Sequence, residues 1–417
     1  MIRKTEFENI EYVTGGICAP KGFKSSGVHA GIKEAMGGEG IPEKPDLALI
    51  LSDEPCTVSG VFTQNKVKAA PVYYAIDVVK NGSARAVIAN SVNANVRNRG
   101  GENAVNEIVN SLSSELKISK EFIIPASTGV IGCELPTEPI IGALPELVRN
   151  LSATGNNAAL KAIMTTDTME KEIAVTFTID GKICHIGGMI KGSGMIHPNM
   201  ATTLSFITSD VKIEKNLLDK ILKETVDKTL NCVSVDGDTS TNDMCLIMAN
   251  GKSDAEIKTE SDANLFKTAL YAVLLHLAKA MARDGEGATK LIECLTIAKN
   301  KAIAKAVSRA VISSSLVKAA IFGGDANWGR ILCATGYAEG DFVTEFVGIT
   351  ISSEFGNIKV CENGCGLDFS EEKAAEILTS EHIFILIDLG DGGNSSYTAY
   401  GCDLSYDYVR INGDYRS

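Results

Sequence analysis

Residues 191–208 read Lys-Gly-Ser-Gly-Met-Ile-His-Pro-Asn-Met-Ala-Thr-Thr-Leu-Ser-Phe-Ile-Thr, and no other stretch restricts the chain as tightly. Gly192, Gly194 and Pro198 prevent the first half from continuing a helix or a strand. The second half, 202–208, alternates and is rich in β-branched residues, which predicts a strand. An irregular loop therefore delivers a threonine, Thr202, to a strand start. If the backbone broke between Ala201 and Thr202, that threonine would carry a free α-amino group beside its own hydroxyl. Base and nucleophile would then sit on one residue. An α-amino group titrates at about 7.7–8 and a lysine at about 10.4, so the chain terminus is the better-poised base near neutrality.

The other signals set limits. At 417 residues, 45% hydrophobic and 22% charged, the chain has length for a large core or two domains. A formal net charge of −12 argues against a nucleic-acid surface. An anionic ligand would have to meet a few placed cations. The start lacks the apolar core of a signal peptide, and the sequence reads as having no apolar run of about 18 residues. The expectation is a cytoplasmic protein with no membrane partner. Eleven cysteines are scattered singly; Cys361 and Cys365 form the one close pair, with no histidine at zinc-ligand spacing. Buried thiols and no metal are expected. Among the histidines, only His197 lies in the key loop. Gly251-Lys252-Ser253 is no phosphate loop, because Leu246 stands where its first glycine belongs, and 234–243 fails the calcium-loop template.

Strands are predicted at 47–51 and 58–63, separated by a turn at Asp53-Glu54-Pro55, and at 85–89. A helix follows at 101–116. A short apolar strand then runs into Ser127-Thr128-Gly129, a turn able to aim a hydroxyl and an N–H at one point. Helices are read at 144–151, 157–164, 214–231, 261–282, 299–318 and 371–378, the last capped by Ser370. Asp180-Gly181 predicts a hairpin between 173–179 and 182–189. Strands at 291–298, 342–351, 357–361 and 383–388 complete the set, with Gly390-Asp391-Gly392-Gly393 read as a hairpin turn. This alternation suits an α/β chain.

The 191–202 loop resembles the self-cleaving site of the ornithine acetyltransferase / glutamate N-acetyltransferase family, the ArgJ type. That family's pattern is Lys-Gly-Ser-Gly-Met-Ile-x-Pro-Asn-Met-Ala-Thr, and His197 fills the variable position here. Phe62-Thr63-Gln64-Asn65, the run from Asp236 to Asp243, Asp284-Gly285-Glu286-Gly287-Ala288-Thr289-Lys290 and Asn327-Trp328-Gly329-Arg330 also resemble family segments. One departure is Val92, where the family has glycine; it puts any positive φ at that position in doubt.

The resemblance implies an α/β/β/α sandwich of the self-processing N-terminal-nucleophile type over 1–290. It also implies a smaller C-terminal α/β domain over 291–417, whose tail returns to the site. Cleavage between Ala201 and Thr202 would yield chains 1–201 and 202–417, with Thr202 as nucleophile and base. Thr128 (side chain) and Gly129 (backbone N–H) would form the oxyanion hole. Thr168 (with Thr166 as near alternative), Lys191, Thr202, Glu286, Asn412 and Ser417 would contact substrate, Lys191 its carboxylate and Glu286 its ammonium group. The implied reaction moves acetyl from N2-acetylornithine to glutamate through an acyl-threonine. It uses no metal or prosthetic group, though some members accept acetyl-CoA as co-substrate. An α2β2 assembly of the cleavage products is implied. Two other readings stand beside it: a related N-terminal-nucleophile amidase or aminopeptidase, in which water resolves the acyl-enzyme, and a binding protein that never cleaves.

Overall fold

The computed structural model describes residues 3–38, 44–197 and 203–413. One strand, Leu47–Phe62, organises the first sheet. Its first half pairs with Phe23–Val28 and Ser83–Asn90, and Ile123–Ser127 lies beyond. Its second half pairs with Met244–Ala249, followed by Leu204–Ser209, Lys182–Lys191 and Glu172–Ile179. The expected break into two strands with a turn is not present. Pairing with Ser83–Asn90 instead jumps from Leu51 to Cys56, and the exposed residues Asp53, Glu54 and Pro55 form a bulge. A proline has no N–H to give to a ladder, so a bulge accepts it where a paired strand would not.

The two halves of this sheet face each other. Ala48 and Ile50 from one half share a buried layer with Phe206, Leu246 and Met248 from the other. Side chains alternate along a strand, so their neighbours point away. Leu47 and Leu49 pack toward the helices Gly101–Leu116 and Thr137–Arg149. Ile207, Cys245 and Ile247 pack toward Lys215–Val226 and Glu260–Arg283. The order is helices, half-sheet, half-sheet, helices, which is the α/β/β/α sandwich.

The second sheet runs Val233–Ser234, Ser395–Cys402, Leu291–Ala298, His382–Asp388, Gly348–Ser353, Gly356–Glu362 and Cys365–Gly366. Its strands His382–Asp388 and Ser395–Cys402 are not the hairpin that the glycine run suggested. Leu291–Ala298 lies between them, parallel to the first and antiparallel to the second. The Asp391 carboxylate accepts from the Lys299 N–H (2.8 Å) and carries the loop over that middle strand's end. The helix read at 299–318 is also two helices, Lys301–Ser313 and Ser315–Phe322, broken at Ser314, whose hydroxyl caps the second.

Glu260–Arg283 packs on strands of both sheets. The sequence reading found no membrane-length apolar run, yet this helix is long and apolar enough to qualify. Its apolar residues from Phe266 to Ala282 belong to the core, which accounts for that composition without a bilayer.

Candidate active site

Three of the stretches that wall the site are tied together by a buried ionic network. Lys171, with none of its side chain exposed, pairs with Asp167 (2.8 Å) and with Asp284. Asp167 also accepts from the backbone N–H groups of Gly192 (2.8 Å) and Thr165 (2.9 Å). Burial alone would raise the Asp167 carboxyl, but the ammonium groups of Lys191 and Lys171 outweigh it and hold the group well below the usual range. The Asp284 carbonyl takes the Ser193 hydroxyl (2.7 Å), and the Glu286 N–H donates to the Ser193 carbonyl (3.0 Å). The segments around 165–171, 191–194 and 284–286 are thereby fixed to one another.

These segments enclose a cavity of about 130 Å³ lined by Thr128, Gly129, Thr165, Thr166, Lys191 and Glu286, with Asn412 at its edge. Lys191 ends the strand Lys182–Lys191 and is 8% exposed. Among the described residues its ammonium group has no hydrogen-bond or ion-pair partner. Glu286 is also 8% exposed. Its carboxylate accepts from the Asn412 amide (2.8 Å), and no described cation pairs with it. Gly194 lets it come this close: a Cβ there would stand 2.4 Å from the carboxylate. Opposite charges thus line one small cavity without neutralising each other.

The Ser127-Thr128-Gly129 turn forms another wall. Gly129 has φ +133°, and a Cβ on it would lie 2.0 Å from the Val92 carbonyl carbon. Among the described residues, neither the Thr128 hydroxyl nor the Gly129 N–H is engaged in a hydrogen bond. Two donors therefore border the cavity without a partner among the described residues. Val92 does adopt the positive φ that its side chain disfavours, +76°. The Asn93 N–H donates to the Ser91 carbonyl (3.0 Å), closing a three-residue turn around it. Such a turn is strained, above all for a β-branched residue. It is held by the Val130 N–H on the Val92 carbonyl (2.8 Å) and by Asn93 amide bonds to the carbonyls of Cys133 and Glu134.

Thr168 is not on the cavity wall. Its N–H and hydroxyl both donate to the Asp284 carboxylate. Thr166, the alternative, lines the cavity together with Thr165. Ala201, Thr202 and Ser417 lie outside the described residues. The sequence reading missed Asn242 as an individual residue. Its amide donates to the carbonyls of Ala94 (2.6 Å) and Ser127 (2.7 Å), clamping the Thr128 turn from the opposite half-sheet. The signal available was its place in the 236–243 run.

The loop that leads from Gly194 to His197 is held from the other side. The Asp236 carboxylate accepts from the N–H groups of Met195 (2.6 Å) and Ile196 (2.9 Å). Arg309 donates to His197 Nε2 (2.7 Å), so the ring's proton is on Nδ1, which donates to Ser234 Oγ (2.9 Å). Burial, then the Arg309 charge, push the His197 pKa down to about 4, keeping the ring neutral near pH 7.

The ArgJ family model matches residues 24–417. The chain belongs to the ArgJ family. It is accordingly an acetyltransferase of arginine biosynthesis. The arginine biosynthesis bifunctional protein ArgJ of Caldanaerobacter subterraneus subsp. tengcongensis is 46% identical over 414 residues, 98% of this chain and 100% of its own length. The ArgJ protein of Thermotoga neapolitana is 44% identical over 406 residues, 95% of this chain and 99% of its own. A solved ArgJ structure from Bacillus halodurans is 42% identical, covers 50% of this chain and 97% of its own, and has a TM-score of 0.47. The ornithine acetyltransferase of Mycobacterium tuberculosis, solved with ornithine, is 32% identical, covers 46% of this chain and 100% of its own, and has a TM-score of 0.41.

Proposed function

We propose that this ArgJ-family chain cuts itself between Ala201 and Thr202, then moves acetyl from N2-acetylornithine to glutamate through an ester on Thr202. The Thr202 hydroxyl attacks the Ala201 carbonyl, the acyl group shifts from nitrogen to oxygen, and water releases the two chains. The freed amine then serves as base to its own hydroxyl, which takes the acetyl group. Thr128 and Gly129 hold the oxyanion. Ornithine leaves, glutamate enters the same cavity, and its amine removes the acetyl. This is a ping-pong sequence. No metal or prosthetic group takes part, and an assay with acetyl-CoA and glutamate decides whether acetyl-CoA is also a donor. The enzyme works in the cytoplasm as an α2β2 assembly of its own cleavage products.

The observation that carries this reading is the cavity: among the described residues, a lysine and a glutamate without an ion-pair partner stand beside two donors without an acceptor. An amino acid with a carboxylate at one end and an ammonium group on its side chain complements the first pair. A tetrahedral oxyanion complements the second. The test is Thr202→Ala. Expected is a chain that stays whole and transfers no acetyl from N2-acetylornithine to glutamate. A Thr202→Ala protein that is cut or active removes Thr202 from its role. Release of free acetate at the rate of transfer would mark a hydrolase instead.

A further inference from the structure

One cavity has to serve two amino acids whose side chains carry opposite charge. Lys191 suits the α-carboxylate that donor and acceptor share, and Glu286 suits the ammonium group of the donor. The same Glu286 carboxylate repels the second carboxylate of glutamate. Glutamate therefore calls for a further cation on a wall that Glu286 does not occupy. Glu286 stands beside Gly194 and Asn412. Thr165 and Thr166 line another part of the cavity. Among the described residues neither of their hydroxyls has a hydrogen-bond partner.

Lys44 reaches that wall. It lies just before the strand Leu47–Phe62, and its carbonyl takes a hydrogen bond from His29 Nδ1 (2.8 Å). Its ammonium group donates to the carbonyls of Met164 (3.1 Å) and Thr165 (3.4 Å). An ammonium group has three N–H bonds, so these two carbonyls leave one donor over. Among the described residues no carboxylate forms an ion pair with Lys44. The residue is exposed, yet its ammonium group is partly buried, which lowers its pKa; Asp167 opposes that shift, and the charges of Lys191 and Lys33 add to it. Lys44 therefore shares a neighbourhood with Lys191, the cation that lines the cavity.

Resting on the reading that glutamate takes the acetyl group in this cavity, we propose that Lys44, with Thr165 and Thr166, forms the subsite for the side-chain carboxylate of the acceptor. Lys44 gives its remaining N–H to that carboxylate, and the two hydroxyls donate beside it. The α-carboxylate on Lys191 is the pivot. From there the side chain of glutamate turns to Lys44, and that of N2-acetylornithine turns to Glu286. Each charged side chain is attracted by one wall and repelled by the other. The cavity sorts acceptor from donor by where the side chain points. Lys44 touches no reacting atom, so its role is specificity and not catalysis.

The test is steady-state kinetics of the purified full-length enzyme, with N2-acetylornithine, glutamate and glutamine each varied in turn. In a ping-pong reaction kcat/KM for each substrate reports its own half-reaction. Glutamine matches glutamate in shape and lacks the second charge. Lys44→Met is expected to lower kcat/KM for glutamate at least about 10-fold, the low end for a lost hydrogen bond to a charged group, and to leave N2-acetylornithine and glutamine within about twofold. Lys44→Arg is expected to restore most of the loss. An equal loss for glutamate and either comparator means that Lys44 only supports the wall, and overturns the proposal. An unchanged value for glutamate overturns it as well. If the wild-type enzyme moves no acetyl from N2-acetylornithine to glutamate, the reading of the cavity fails first, and the subsite with it. If Lys44→Met does not melt cooperatively, Lys44→Gln takes its place under the same criteria.

Discussion

Replacing Glu286 with glutamine separates the two halves of the reaction. The carboxylate is 8% exposed, is not paired with any described cation, and faces the cavity. Glutamine has the same shape and keeps an oxygen to accept from the Asn412 amide, so little is lost in the fold. What changes is the charge offered to the substrate. A hydrogen bond to a charged group contributes about 1.5–3 kcal/mol. At about 1.4 kcal/mol per tenfold, that corresponds to about 10- to 150-fold in kcat/KM. The loss should fall on N2-acetylornithine, whose side chain ends in an ammonium group. Glutamate ends in a carboxylate that Glu286 repels, so deacetylation of the enzyme by glutamate should keep its rate or quicken. The assay is intact-mass spectrometry of the Thr202-bearing chain. Acetylation is followed after mixing with N2-acetylornithine, and its loss after adding glutamate. An equal loss in both half-reactions would refute the charge match. An unchanged rate of acetylation would take Glu286 out of substrate binding.

Lys191 makes the opposite prediction. The α-carboxylate is common to donor and acceptor, so Lys191→Met should raise KM for both by a similar factor, about 10-fold or more. Steady-state kinetics against each substrate in turn will check it. His197 predicts an acid-side weakness. Its folded pKa of about 4 lies below the ordinary 6.5. The unfolded chain therefore takes up a proton that the folded one refuses, and stability falls as pH drops from about 6.5 toward 4, by up to about 3 kcal/mol. His197→Asn should flatten that decline in melting temperature measured from pH 7 to pH 4.5.

Periodic elements were legible because their signals are local. The helix Gly101–Leu116 and the hairpin around Asp180 and Gly181, both at positive φ, agree with the patterns of apolar spacing and turn residues. Glu371–Leu378, capped by Ser370, is another such element. What failed depended on partners distant in sequence. Asp53-Glu54-Pro55 carries a turn signal, but pairing on both sides of it makes it a bulge. The Gly390–Gly393 run joins strands that a third separates, and local residues say nothing of an insertion between them. Val92 shows the same limit in reverse. Valine disfavours positive φ, yet Val130, Cys133 and Glu134 supply enough bonds to impose it. The site was legible mainly through resemblance. Thr128, Gly129, Lys191, Glu286 and Asn412 converge on one cavity, whereas Thr168 is turned to Asp284 by the buried network around Lys171. No short-range pattern announces that network, because Lys171 and Asp284 are 113 residues apart in the chain.

The most direct measurement is the intact mass and amino-terminal sequence of the purified, active enzyme. Self-cleavage at the proposed bond predicts two chains of about half the 44.2 kDa total each, one of them beginning Thr-Thr-Leu-Ser. An active preparation containing only the unbroken chain would contradict it.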